Sequence, residues 1–196
     1  MKTKALALSL ALALTSTGII GCGKQQTQQP PAPSVQKPSN QSTDVKTTAS
    51  VVNDNAAFEK AISKNGTWII ATLKDLTFDK ELVVDGDFKS GKKDQKTGEE
   101  LYQRKIGLYT QDDKKNVTAR FTLTAPKITF NSIYGSLEHG TFVGDVYVAG
   151  KNFKLVNQQI KGNLYFLNEE AEKTFTIADK EGNPASTISG VKQLKK

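Results

Sequence analysis

The sequence predicts an all-β domain: a small single-domain parallel β-helix with rungs of about 18 residues and a short N-terminal capping helix. Two observations carry this. First, Phe142-Val143-Gly144-Asp145-Val146-Tyr147-Val148 aligns with Ile160-Lys161-Gly162-Asn163-Leu164-Tyr165-Phe166, 18 residues further on. The same step back from Val146 and Val148 lands on Ile128 and Phe130, and from Leu155 it lands on Leu137. Second, apolar residues alternate within each copy, as in a half-buried strand. One such turn cannot bury its own apolar face, but stacked turns share a core; the rival reading is an antiparallel sandwich or other β fold whose spacing repeats by coincidence.

The chain opens with Lys2 and Lys4, followed by an apolar run over 5–14. That run is too short for a membrane span of roughly 20 residues. A basic start, a short apolar stretch and a small residue before the cut describe a cleavable signal over 1–21. The string Ile19-Ile20-Gly21-Cys22 resembles the lipobox of bacterial lipoproteins. The resemblance implies cleavage between Gly21 and Cys22 and a lipid on the Cys22 thiol. The implied partner is a membrane, met through that anchor, and the implied location is extracytoplasmic. Cys22 is the only cysteine, so no intramolecular disulfide and no thiol cluster for zinc can form.

Residues 22–53 read as the lipidated cysteine and a linker rich in Gln, Pro, Ser and Thr, with no aromatic residue. Such a composition buries too little apolar area to offset chain entropy. About 30 flexible residues span roughly 30 Å, enough to hold a domain off a membrane.

Residues 54–196 form the β-helix domain. Asp54 or Asn55 caps a helix that carries Ala57, Phe58, Ala61 and Ile62 on one face, and Asn65-Gly66 ends it. Trp68-Ile69-Ile70, Leu76-Thr77-Phe78 and Leu82-Val83-Val84 read as strands. Val84-Asp85-Gly86-Asp87-Phe88 and Ile188-Ser189-Gly190 fit the repeat motif. A second inward column is expected from Leu137, Leu155 and Phe175/Ile177. The helix-then-rungs order resembles right-handed β-helices of the pectate-lyase type. The Phe-Val-Gly-Asp-Val and Ile-Lys-Gly-Asn-Leu copies resemble the rungs of polymer-forming bactofilins over about 126–190. These resemblances imply a right-handed coil, and the second implies a capacity for self-association.

Charge places the binding candidates. The formal net charge is +7 over the whole chain, but 54–196 keeps only 22 basic against 19 acidic residues. That balance lacks the broad basic face of a nucleic-acid binder. Residues 89–105 interrupt the repeat and hold Lys89, Lys92, Lys93, Lys96, Arg104 and Lys105 against Asp94, Glu99 and Glu100. This loop, with Lys92, Lys93 and Lys96, is one candidate ligand surface, suited to an anionic cell-envelope polymer. The other is an outward column of Tyr147 and Tyr165, about 4.8 Å apart on adjacent strands, suited to a sugar ring or serving as a stabilising ladder. Thr110–Asn116 reads as a polar turn.

Catalytic signals are scarce. The single histidine, His139, sits beside Glu138 and reads as a solvated turn residue. There is no nucleophile-elbow string, no metal-ligand spacing and no phosphate loop, so no catalytic residue, metal or cofactor is expected. Asp85, Asp87 and Asp145 read as polar turn positions; a glycosidase pair or a calcium site is the rival reading. The functional expectation is a non-enzymatic binding or scaffold module at the cell envelope. Its alternative is a small polysaccharide lyase or hydrolase. A ligand-delivering transport lipoprotein fits least, because two-lobed binding proteins are far longer.

Overall fold

The computed structural model describes residues 50–195. The signal segment 1–21, the pair Gly21 and Cys22, and the linker as far as residue 49 lie outside the described residues. The first strand, β1 (Ser50–Val52), precedes the expected boundary at 54 and pairs in parallel with β2 (Ile69–Thr72). Residues 50–52, expected in the linker, therefore belong to the folded domain.

Between these strands lies α1 (Asn55–Ile62). Its N-cap is Asp54, whose Oδ1 accepts the Ala57 N–H at 2.8 Å. Phe58, Ala61 and Ile62 fall on one helical face and are buried. The Phe58 ring lies 5.6 Å from that of Phe78, centroid to centroid. Burying a residue of this size contributes about 1.5–3 kcal/mol, which holds the helix to the sheets.

The remaining strands are β3 (Leu76–Thr77), β4 (Leu82–Val84), β5 (Lys89–Lys93), β6 (Glu100–Tyr102), β7 (Arg104–Gly107), β8 (Tyr109–Gln111) and β9 (Val117–Arg120). They continue with β10 (Thr122–Phe130), β11 (Gly135–Glu138), β12 (Thr141–Val148), β13 (Lys154–Val156), β14 (Gln159–Lys161) and β15 (Leu164–Phe166). A second helix, α2 (Glu169–Thr174), precedes β16 (Thr176–Ile177), β17 (Thr187–Ile188) and β18 (Lys192–Leu194). The described chain is mostly β. One sheet has the order β1-β2-β7-β11-β13-β16, and the second is built from β3, β4, β10, β12, β14, β15, β17 and β18. Every pairing in both is parallel, and neither sheet closes on itself.

The expected register is present. Ile128 pairs with Val146 and Val146 with Leu164, while Phe130, Val148 and Phe166 run alongside. Leu137 pairs with Leu155. All eight side chains are buried. The same columns reach back to Leu82, Val84, Ile70 and Ile106. The 18-residue step holds only where no insertion intervenes. Hairpins β5–β6 and β8–β9 lie between Leu82 and Ile128, and α2 lies between Leu164 and its partner Lys192. The last turn departs from expectation. Ile177 pairs with Leu155 but is 50 % exposed, while Phe175 packs against Phe166 at 5.3 Å. Helix α2 has no counterpart in the sequence reading. It is six residues long, starts at the Asn168 cap and carries Glu169, Glu170 and Glu172 near its positive end.

Two corners use left-handed backbone without glycine. Tyr134 (φ 52°) and Asn152 (φ 60°) stand at one; His139 (φ 63°) and Asn157 (φ 49°) stand at the other. Asn tolerates this region, whereas tyrosine there is uncommon.

Candidate functional site

The loop over 89–105 is the antiparallel hairpin β5–β6, which joins neither parallel sheet. Asp94 Oδ1 accepts the N–H groups of Thr97 at 2.9 Å and Lys96 at 2.8 Å, which close the turn and hold its carboxyl below the usual range. Lys89 pairs with Glu100. Lys92, Lys93 and Lys96 are exposed and have no carboxylate partner among the described residues. A depression of about 540 Å³ is lined by these three lysines with Asp94, Gln95 and Leu101. Next to it, a groove of about 240 Å³ runs between the hairpin and the Tyr134–Asn152 corner. It is lined by Ser90, Lys92, Leu101, Tyr102, Gln103, Tyr134, Asn152 and Lys154. Of these, only Lys92 is a candidate that the sequence supplied. The others come together because parallel pairing puts Lys154 one strand from Ser136 and brings the corner beside the hairpin.

The tyrosine column forms as expected. Val83, Thr129, Tyr147, Tyr165 and Gln193 stand in register on the outer face of the second sheet. The Tyr147 and Tyr165 rings are 5.0 Å apart and tilted by 41°. Lys195 Nζ lies 4.5 Å from the Tyr147 centroid and 5.5 Å from that of Tyr165, and donates to the Tyr147 hydroxyl at 3.1 Å. Lys127, itself paired with Glu81 at 2.6 Å, approaches Tyr147 to 5.2 Å. These rings face each other and two cations, which is the geometry of a stabilising ladder. A depression of about 540 Å³ lies against them, lined by Tyr147, Tyr165, Gln193, Leu194 and Lys195.

The three aspartates are structural acceptors. Asp87 Oδ1 takes the Ile133 N–H, and Asp85 Oδ1 takes the Gly86 N–H, each at 2.9 Å. Asp145 Oδ1 accepts from the backbone and side-chain nitrogens of Asn163, whose Oδ1 accepts the Val191 N–H. Among the described residues no group of three or more His, Cys, Asp or Glu could hold a metal ion.

His139 corrects the sequence reading: it is buried, not solvated. Its ring meets Tyr109 edge-on at 4.5 Å, and its Nδ1 has no hydrogen-bond partner among the described residues. Beside it, Lys105 Nζ pairs with Glu138 at 2.5 Å and donates to the Tyr109 hydroxyl at 2.9 Å, while Ser136 donates to Glu138 at 3.0 Å. Burial works against the Lys105 charge, but Glu138 and Tyr109 outweigh it and hold Lys105 above its usual value. Ser136, Glu138 and His139 are buried, while Lys105 and Tyr109 are half-buried. Sequence reasoning missed this cluster because it depends on the pairing of β7 with β11, which brings Lys105 and Tyr109 to Ser136, Glu138 and His139.

Burial pushes the His139 imidazole down to about 4; Glu138 opposes this, while Arg120, Lys180 and Lys105 add to it. The unfolded chain, with a histidine near 6.5, takes up the proton first. Stability attributable to this group is therefore complete above pH 6.5 and lost as pH falls toward 4. By pH 4.5 the loss amounts to about 2 kcal/mol. His139→Asn, which suits the left-handed corner as Asn157 does, is expected to flatten that part of the curve. Urea unfolding of both proteins from pH 7.5 to 4.5 checks it; parallel curves would contradict it.

Comparisons with protein-family models, with curated proteins and with solved structures find no match.

Proposed function

We propose that this chain is an extracytoplasmic lipoprotein, held to a membrane through lipid on Cys22, that acts as a non-enzymatic binding module on a small right-handed parallel β-helix. From β10 to β18 the chain moves back and forth between the two parallel sheets, with β14–β15 and β17–β18 as consecutive strands of the second, and the Ile128–Val146–Leu164 step is uniform; both favour a solenoid. Right-handed crossovers are the rule for parallel strands. The basic start, the apolar run and Ile19-Ile20-Gly21-Cys22 favour export and acylation. No helix among the described residues is long and apolar enough to cross a membrane.

The observation that carries the binding reading is the hairpin β5–β6, outside both parallel sheets, with three lysines that have no carboxylate partner among the described residues. Its partner is an anionic polymer of the cell envelope, recognised chiefly by charge. Two arms test this. Cys22→Ala should remove the acylated species from the membrane fraction; acylated Cys22→Ala protein in that fraction would refute the anchor. In the second arm, mature unlipidated chain carrying Cys22→Ser is titrated with isolated anionic envelope polymer. Exposed charge contacts contribute about 0.2–1 kcal/mol each, so Lys92, Lys93 and Lys96 replaced together by Gln should weaken binding roughly tenfold. Raising salt from 0.1 M to 1 M, which shortens the screening length from about 10 Å to about 3 Å, should do at least as much. Binding that ignores both changes would reject the hairpin.

A further inference from the structure

The chain has five tyrosines. Tyr109 packs on His139, and Tyr147 and Tyr165 pair with each other under Lys195. Tyr102 and Tyr134 have no aromatic or cationic partner among the described residues, and both line the groove beside the hairpin. Tyr134 is 40 % exposed and held at φ 52°, the corner position where the following rung carries Asn152. Its backbone is fixed on both sides: its N–H donates to the Lys151 carbonyl at 2.9 Å, and its carbonyl accepts from the Arg104 N–H at 3.1 Å. A large ring kept in a backbone region that disfavours it, with its side chain left open, is a feature that folding does not explain. Lys92 and Lys154 line the same groove without an ion-pair partner among the described residues; the Asn152 backbone N–H donates to Thr174 Oγ1 at 2.8 Å, while its side-chain amide has no hydrogen bond among the described residues.

An aromatic platform, two cations and a free amide are the complement of a sugar ring that bears an acid group and hydroxyls. We propose that this groove seats one acidic sugar residue of a polymer, its ring against Tyr134 and its acid group met by Lys92 and Lys154. The groove volume of about 240 Å³ is below the roughly 300–1,000 Å³ typical of pockets that enclose whole small molecules. It suits one ring of a longer chain. The adjoining depression, which shares Lys92 and Leu101, continues the path past Lys93 and Lys96. This assignment rests on the hairpin as the binding surface and adds to it that the polymer is an acidic glycan.

The test uses the mature chain carrying Cys22→Ser and three probes at matched concentration of repeating units: polygalacturonate, inorganic polyphosphate and dextran. Wild-type protein should bind polygalacturonate most tightly and dextran hardly at all. Tyr134→Asn removes the platform at a corner that accepts Asn, so the variant should stay folded with an unchanged or higher melting temperature. It should lose about tenfold affinity for polygalacturonate and none for polyphosphate. Lys154→Gln should weaken both. If Tyr134→Asn binds polygalacturonate like wild type, or if polyphosphate or dextran binds as tightly, the sugar seat is overturned. Polyphosphate binding that survives that outcome would still uphold the hairpin as a charge-driven surface. If no anionic polymer binds, the seat and the hairpin reading fall together.

Discussion

Gly144→Ala is expected to cost about 3 kcal/mol and to lower the melting temperature by about 10 °C. Gly144 lies within β12 at φ +132°, a region open to glycine and hostile to other residues. A Cβ built there would stand 1.9 Å from the Ala125 carbonyl oxygen and 3.2 Å from that of Pro126. Neither atom can retreat cheaply. Ala125 is buried, and the flanking residues Leu123 and Ile128 are pinned by pairing with Phe142 and Val146. At this point β10 holds one residue more than β12, and Pro126 sits in the irregularity, where a proline without a ladder N–H is tolerated. The bulge and the glycine are thus one device. Backbone strain contributes about 1–3 kcal/mol and overpacking a similar amount. Gly98→Ala separates the two: Gly98 is at φ +73° with nothing within 4 Å of the added carbon. It should lose only the strain part. Equal melting losses for the two variants would show that the contact across the bulge is unimportant.

How much of this was legible in the sequence depends on distance along the chain. Alternation and an 18-residue step reveal Ile128, Val146 and Leu164 because those turns have equal length and each side chain repeats its predecessor's environment. The period is invisible from Leu82 to Ile128, where two hairpins intervene, and after Leu164, where α2 does. Polar burial was not legible at all. His139 is buried because Tyr109, thirty residues earlier, stands against its ring. Tyr134 sits by the hairpin because its corner stacks on Asn152. Neither fact leaves a local pattern. The tyrosine column was read correctly as to position, but its contact with Lys195 was not, because no spacing rule connects that lysine with Tyr147. The hairpin lysines were legible for the opposite reason. They are set by turn chemistry and exposure, both local.

Arg104 was the largest omission, since it counts as one more positive charge in a basic loop. It is in fact buried, and its guanidinium lies among the backbone carbonyls around α1, β2 and β4. Nη1 donates to the Thr67 carbonyl, and Nη2 faces the carbonyls of Ser63 at 2.7 Å, Asp85 at 3.0 Å and Ala61 at 3.1 Å. The guanidinium carbon lies 4.3 Å from the Phe88 ring centroid. Burial lowers its pKa to about 10, and Asp85 offsets part of that. The acceptors come from the end of α1, the approach to β2 and the turn after β4, so one side chain ties α1 to both sheets. Such a fork suits arginine, whose planar donors reach several carbonyls at once. Arg104→Ala should leave buried carbonyls without donors and open a cavity, costing about 3–5 kcal/mol. Arg104→Lys keeps the charge but offers a single ammonium, so it should recover less than half of that. Urea unfolding measures both. Hydrogen exchange should show the loss first at residues 55–72, α1 and β2, before the strands that carry Ile128, Val146 and Leu164. Because the Arg104 N–H also holds the Tyr134 carbonyl, protection at residue 104 should fall with it. A loss below about 1 kcal/mol for Arg104→Ala, or full stability in Arg104→Lys, would show that α1 does not depend on this fork.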